Sequence, residues 1–370
     1  MTPFPLRLSD LRQRLRELGC KPCHEDRLLR GWSQIGSYDR KGSPAETFFP
    51  QALREALPAI EAELEGLARL RSKHPVSLYP TLSHFMGEGA NAALRAPSNN
   101  DEVARLLVEL HDGQMVESVL LPRGGLCVST QVGCAVGCVF CMSGRAGLLR
   151  QLGSAEIAAQ VVLARRRRTV SKVVFMGMGE PAHNLDNVLE AIELLGAQGN
   201  IGHKNLVLST VGDLRVFERL PLEKVKPALA LSLHTTDAAL RAKLLPHAPQ
   251  IPIEELVERC EAYALATGYP VQYQWTLIEG VNDSDAELER IAQLLSGKYA
   301  LMNFIPFNEV DGLAYRRPSP ERIASMVQTL KRHGVLAKVR DSAGQEIEGA
   351  CGQLRARAAK TKSDKTRASE

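Results

Sequence analysis

Val132-Gly133-Cys134-Ala135-Val136-Gly137-Cys138-Val139-Phe140-Cys141-Met142 is the stretch on which the reading of this chain turns. Its cysteines are spaced C-x-x-x-C-x-x-C. Gly133 and Gly137 loosen the turn, so three thiolates can wrap one face of a metal centre. Soft thiolates suit zinc and iron–sulfur clusters. A structural zinc site closes with four ligands, and an ordinary four-iron cluster takes four cysteines. This run offers three, with no neighbouring Cys or His as a fourth. A cluster held here keeps one iron open to another ligand, and Phe140 is placed to shield it from water. A zinc knot is the competing reading, but zinc spacings usually come as two C-x-x-C halves.

Around that stretch, the chain has 370 residues, long enough for one large domain with an appendage or for two domains. Hydrophobic residues at 44% and charged residues at 24% are ordinary for a soluble globular protein. A net charge of +4 permits a nucleic-acid partner without demanding one. No run of about 18 apolar residues occurs, so no membrane span is expected. Met1-Thr2-Pro3-Phe4-Pro5-Leu6-Arg7 lacks the charged-then-apolar order of a signal peptide. Eight cysteines in so long a chain do not read as a disulfide framework. A reducing, cytoplasmic setting is expected, and an exposed cluster would need one.

Downstream of the cysteines, strand and helix patterns alternate. Strands are expected at Leu126–Val132, Lys172–Met176, Asn205–Ser209, Pro227–Leu233, Val271–Leu277 and Leu301–Ile305. Most are short Val, Leu and Ile runs, the pattern of strands buried on both faces. Helices are expected at Ala155–Arg167, Leu185–Ala197, Ala238–Leu245, Ile253–Thr267, Asp285–Leu295 and Pro320–His333. Six βα units predict an α/β fold, a parallel sheet curled into a partial (βα)6 barrel over residues 125–345. Upstream, two alternating stretches around Asp112-Gly113 predict a β-hairpin extension at 99–124. Leu8–Leu18, His24–Ile35 and Pro50–Leu70 carry helical patterns, so residues 1–98 are expected to form a small helical domain ending in a polar linker, Thr81–Asn100. Cys20-Lys21-Pro22-Cys23 has neither a preceding strand nor a second metal half, and reads as a structural loop.

In parallel sheets ligands bind at the C-terminal ends of the strands. Unusual residues collect there. The first strand end carries the cysteine loop; the second, Gly177-Met178-Gly179-Glu180-Pro181, has glycines that admit a close ligand and a carboxylate for an ammonium or hydroxyl. The third, fourth and sixth carry Ser209-Thr210-Val211-Gly212, Ser232-Leu233-His234 and Pro306-Phe307-Asn308. Each group alone is weak; groups on five of the six strand ends are strong together.

The cysteine spacing with Phe140 resembles the signature of the radical S-adenosylmethionine (SAM) superfamily. Within it the chain resembles the RNA adenine carbon-2 methyltransferases, the RlmN/Cfr-like group, over nearly its whole length. The resemblance rests on Val116-Glu117-Ser118-Val119, Leu126-Cys127-Val128-Ser129-Thr130-Gln131, Gly177–Pro181, Leu208-Ser209-Thr210, Ser232-Leu233-His234, Gly280-Val281-Asn282-Asp283-Ser284, Ile305-Pro306-Phe307-Asn308 and Ala350-Cys351-Gly352-Gln353-Leu354. It implies a 4Fe–4S cluster on Cys134, Cys138 and Cys141, and SAM bound by Gly179, Glu180, Ser209, Ser232, Leu233, His234 and Asn308. It implies that one SAM methylates Cys351, that a radical made from a second takes a hydrogen from that methyl, and that the methylene carbon joins the adenine ring. Glu117 falls on the family's proton-acceptor position. Cys127 would attack the sulfur of Cys351 and release the methylated base, leaving a transient disulfide of catalytic rather than structural kind. The implied partners are rRNA and/or tRNA and a cytosolic electron donor such as flavodoxin, with the protein a monomer.

The chain departs from the family pattern after the third cysteine (Met142–Leu152), before Cys351 (Arg340-Asp341-Ser342-Ala343-Gly344-Gln345-Glu346) and after Asn308, and the loop between Glu117 and Cys127 is short. These loops bear on the RNA target more than on the chemistry. Carbon 8, a small-molecule or protein substrate, and a metal-bearing RNA-binding protein without catalysis are the alternatives. Two basic runs, Arg165–Arg168 and the tail from Arg355 to Arg367, either contact phosphate or, more blandly, close a helix and solvate a terminus. The final segment, 346–370, combines Cys351 with that tail.

Overall fold

The computed structural model describes residues 7–40, 42–75, 102–310, 312–340, 349–350 and 352–355. The expected linker, Cys351, most of the run before it and the basic tail beyond Arg355 lie outside the described residues.

Helices α1 (Leu8–Glu17), α2 (Pro22–Gln34), α3 (Ala45–Phe48) and α4 (Gln51–Gly66) open the chain. Leu8, Leu11 and Leu15 of α1 and Leu28, Leu29 and Trp32 of α2 are buried, as their helical spacing demands. Cys20, between these helices, is buried in the same core, and burial pushes its thiol up to about 11. The helical pattern drawn to Leu70 stops short: after Gly66 the chain enters a strand, β1 (Ala68–Pro75), which pairs antiparallel with β2 (Ala104–Leu110). Its alternation was hidden because Arg69, Arg71, Lys73 and Pro75 stand on an exposed edge, where charge and proline are tolerated. The sheet therefore reaches into the region expected to be helical. β2 and β3 (Met115–Leu121) form the expected hairpin, with Gly113 at φ +82° in its turn.

The strand expected at Leu126–Val132 is broken in two. β4 (Gly125–Cys127) joins β3 antiparallel, while β5 (Gln131–Gly133) leaves the main sheet to pair with β6 (Leu148–Gln151), which closes the cysteine loop. Then come α5 (Ser154–Arg165), β7 (Lys172–Phe175), α6 (Leu185–Ala197), β8 (Leu206–Thr210), α7 (Leu214–Arg219), β9 (Ala228–Ser232), α8 (Ala238–Leu244), α9 (Ile253–Thr267), β10 (Val271–Leu277), α10 (Asp285–Leu295), β11 (Ala300–Pro306), α11 (Pro320–Arg332) and β12 (Ala337–Val339). β4, β7, β8, β9, β10, β11 and β12 run parallel in that order, so the six expected βα units are followed by one further strand. Sheet and hairpin form a single sheet, β1-β2-β3-β4-β7-β8-β9-β10-β11-β12, curled into a partial barrel. Arg340, just past β12, reaches Met176 past the end of β7, which brings the two flanks of the curl together.

Asp213, Asp237, Ser284 and Ser319 cap α7, α8, α10 and α11 through their side chains, each accepting a backbone N–H of the first turn. α5 is buried all round rather than on one stripe, sandwiched between the sheet and the N-terminal helices. The arginine run at its end is occupied by protein: Arg165 donates to carbonyls of Ser33, Val170 and Gly199, Arg166 pairs with Glu65, Arg167 donates to Leu163, and Arg168 donates to Glu102, Leu121 and Gly125. These arginines tie helices, hairpin and barrel together. No helix among the described residues is long and apolar enough to cross a membrane.

Candidate active site

The cysteine loop is shaped by its glycines. Gly133 has φ +81°, and a Cβ built on it would stand 2.0 Å from the carbonyl oxygen of Gly147. That carbonyl receives the N–H of Cys134, so β5 and β6 can close under the loop only with glycine at 133. Gly137, at φ +66°, turns the chain between the first and second cysteines.

Cys134, Cys138 and Cys141 line one cavity at the C-terminal ends of the strands, with Gly179, Glu180, Ser209, Ser232 and His234. Val136 and Phe140 pack with Val211, Leu244, Leu245, Ile278 and Phe307 into a small apolar cluster behind the thiols. Burial pushes the Cys134 thiol up to about 12 and Cys138 in the same direction, while backbone N–H groups of Val136 and Gly137 donate to the Cys134 sulfur. A metal centre would displace the protons that burial favours.

Among the described residues no three His, Cys, Asp or Glu side chains are arranged to share a single metal ion. Three thiols around one cavity, backed by N–H donors and an apolar wall, are instead a donor set that fits a multi-iron cluster.

The carboxyl of Glu180 is buried. Its Oε1 accepts the N–H of Ala182 at 3.1 Å and its Oε2 that of Val211 at 3.1 Å. Burial nonetheless raises its pKa to about 7, against the pull of these donors and the Thr210 hydroxyl. A cationic ligand group beside it would restore its charge, as an ammonium of SAM would. Gln131 fixes the turn by accepting the Glu180 N–H at 2.8 Å. A Cβ on Gly179 would stand 2.6 Å from Cβ of Gln131, so strand β5 packs against glycine there.

His234 has φ +62°, uncommon for a residue with a side chain. Its Nδ1 accepts the N–H of Thr276 at 2.9 Å, so the neutral ring carries its proton on Nε2. Burial, and then Arg241, lower its pKa to about 3. The ring lies edge-on to Phe140 at 4.8 Å.

Two expected residues stand off this wall. Leu233 is buried and its N–H donates to the Gln274 carbonyl, and Asn308 is buried just beyond Phe307, which does line the cavity.

A second cavity adjoins the first and shares Cys141, Ser143, Met176, Gly177, Arg340 and Gly352 with it. Cys127, Ala350 and Leu354 are on its wall. Cys351 lies outside the described residues, but its neighbours are pinned. The Gly352 carbonyl accepts the N–H of Met142 at 2.7 Å, the Ser143 hydroxyl donates to the Leu354 carbonyl at 2.8 Å, and Gln353 donates to the Glu309 carbonyl at 3.0 Å.

Glu117 lines neither cavity. It is wholly buried, with Oε1 on the Arg105 guanidinium at 2.6 Å and Oε2 accepting the N–H of Arg355 at 2.8 Å. Glu117 is thus a buried clasp on the C-terminal strap, residues 352–355. Sequence reading missed Arg241 and Arg340. Arg241, from α8, is buried between the ends of β8 and β9, donates to the carbonyls of Val211 and Ser232, and falls to about 10 through burial despite the nearby Cys138 and Glu180. An arginine on a short amphipathic helix gives no sign of this in sequence.

Residues 128–294 match the model of the radical SAM superfamily. The chain is 67% identical over 355 residues, 96% of both chains, to a probable RNA methyltransferase of Azoarcus sp. (strain BH72). It is 63% identical over 355 residues to another of that description from Pseudomonas aeruginosa (strain UCBPP-PA14), covering 95% of this chain and 96% of the relative. The chain belongs to the radical SAM RNA methyltransferases of the RlmN/Cfr-like group. A crystal structure of a radical SAM methyltransferase from Sphaerobacter thermophilus superposes with a TM-score of 0.74 at 35% identity, over 96% of this chain and all of that one. Membership in this group implies a 4Fe–4S cluster and SAM, and the three-thiol cavity with its buried carboxylate fits both.

Proposed function

We propose that this protein methylates a ring carbon of adenine, carbon 2, in rRNA or tRNA, through a methyl group carried on Cys351. The observation that carries the reading is the continuity of the two cavities. Cys127 and the residues on either side of Cys351 line a space that opens onto the cavity of Cys134, Cys138 and Cys141. Two thiols beyond a three-cysteine cluster set are what a methyl-carrying and a resolving cysteine require.

In this reading Cys134, Cys138 and Cys141 hold the cluster, and Gly179, Glu180, Ser209, Ser232, Leu233, His234 and Asn308 surround SAM. Cluster and SAM, when bound, supply the methyl group and the one-electron chemistry that activates it. Cys351 carries that carbon to the ring and is joined to it covalently. Glu117 accepts the proton that leaves the ring carbon. Cys127 attacks the sulfur of Cys351 and breaks its bond to the methylene carbon, which leaves with the bonding pair and takes up a proton to become the methyl group, while the two sulfurs form a disulfide that a cellular thiol reductant reopens. The protein works as a monomer in the cytoplasm, fed by a one-electron donor of flavodoxin type.

The test is nucleoside mass spectrometry of rRNA and tRNA fractions from cells with and without the gene. The reading predicts a methyladenosine, its methyl on carbon 2, present only with the protein. Identical nucleoside profiles in both fractions would remove RNA from the account, and a methyl on carbon 8 would correct its position.

A further inference from the structure

The arginine run at the end of α5 is occupied by carbonyls and Glu65, so the most basic described stretch is not where an RNA backbone would bind. The fold assembles a different set of charges. Among the described residues β12 pairs with β11 on one side and with no strand on the other, so their sheet is not closed along that flank. Facing that edge are the start of β7 and the turn between β3 and β4, joined where the Lys172 N–H donates to the Gly124 carbonyl at 3.3 Å.

Four cations converge on the opening: Arg123 from the turn, Lys172 from the start of β7, Lys338 within β12 and Arg340 just after it. Arg340, Lys338 and Arg123 all act electrostatically on Lys172 and, after desolvation, hold its pKa below the ordinary lysine value. Among the described residues none of the four forms an ion pair with a carboxylate. Arg340 reaches inward, with its guanidinium 3.4 Å from both Met176 Sδ and Gln274 Oε1, and lines both cavities. Arg123, Lys172 and Lys338 are exposed.

Like charges gathered without acidic partners repel one another, and a polyanion laid across them removes that cost. Phosphate contacts also fix a strand's register without reading its bases. We infer that the open flank of the barrel is the phosphate track of the RNA substrate, with Arg123, Lys172 and Lys338 holding successive phosphates and Arg340 standing where the strand turns its base into the cavity. This rests on the RNA reading above and adds the route by which the strand enters.

The experiment uses cluster-loaded protein and a short fluorescent oligoadenylate RNA, titrated at several salt concentrations. One variant carries Arg123→Gln, Lys172→Gln and Lys338→Gln. A control of equal charge change carries Arg54→Gln, Lys204→Gln and Lys331→Gln. Each phosphate contact on a single strand contributes about 0.7 to the salt slope of log K. The flank variant should lose about 2 from that slope and bind about 100-fold more weakly at about 0.1 M salt, while the control keeps the wild-type slope. Its iron content should match wild type, since none of the three residues touches the cysteine loop, and in turnover KM should rise more than kcat falls. Equal losses in both variants, or in neither, would overturn the track while leaving the RNA reading in place. Wild-type protein that fails to bind the oligonucleotide would overturn both.

Discussion

Replacing Glu117 by alanine should free the C-terminal strap. Glu117 accepts the Arg355 N–H directly at 2.8 Å, and its other oxygen meets the Arg105 guanidinium at 2.6 Å. A hydrogen bond to a charged group contributes about 1.5–3 kcal/mol. With about 1.4 kcal/mol per decade, strap opening should become about ten- to a hundredfold more frequent. The same change leaves Arg105, itself buried, without its counter-charge, at a cost of about 3–5 kcal/mol to the fold. The two effects separate in an Arg105→Met, Glu117→Leu double variant, which should recover much of the stability but none of the strap protection.

Hydrogen exchange followed by mass spectrometry on the peptide holding residues 352–355 reads the first effect, and a thermal melt the second. Unchanged exchange at the Arg355 amide in Glu117→Ala would refute the clasp. If the clasp holds, both oxygens of Glu117 are engaged while the strap is seated. Under the role proposed for Glu117, accepting the proton of the ring carbon would then require residues 352–355 to release it first.

Two further outcomes follow from buried geometry. His234 has its folded pKa depressed from 6.5 to about 3, so the unfolded chain binds a proton in a range where the folded one does not. The stability this preserves is complete above pH 6.5 and is lost as pH falls, by about 2 kcal/mol at pH 5. His234→Asn keeps an acceptor for the Thr276 N–H and cannot titrate, so its melting temperature should fall less than wild type between pH 7 and 5; parallel curves would contradict the assignment. Gly133→Ala places a methyl against the Gly147 carbonyl and forces a left-handed backbone, costing more than about 2 kcal/mol at the base of the cysteine loop. Anaerobic reconstitution of this variant should give well under the wild-type iron content, and full loading at an unchanged melting temperature would contradict the loop geometry.

Much of this was legible because the signals are local. Three cysteines within eight positions, glycines before and among them, and polar residues at successive strand ends fall together once the strands are drawn. The parallel strands were readable as apolar runs because both their faces are covered. What escaped was set by distant partners. β1 is a charged edge strand whose partner lies across a long stretch of chain, and β12 is three residues long. For the arginines at 165–168 the sequence leaves phosphate contact and helix closure open, and only the carbonyls they serve decide between them. Glu117 is held by Arg105 on the neighbouring strand and by Arg355, 238 residues away, which no local pattern shows. Arg123, Lys172, Lys338 and Arg340 are scattered through the sequence, and the order of strands in the sheet brings them together.

The central claim is that two cysteines outside the cluster set divide one reaction between them, with Cys351 bonding to the base and Cys127 releasing it. Denaturing electrophoresis of the two single variants, expressed in cells that supply RNA, tests this most directly. Cys127→Ala should accumulate protein covalently bound to RNA, resistant to denaturant and collapsed by ribonuclease. Cys351→Ala should show none, and the double variant should match Cys351→Ala, as residues acting in one sequence of steps are not additive. Normal turnover by Cys127→Ala, or equal trapping of RNA by both single variants, would contradict the account.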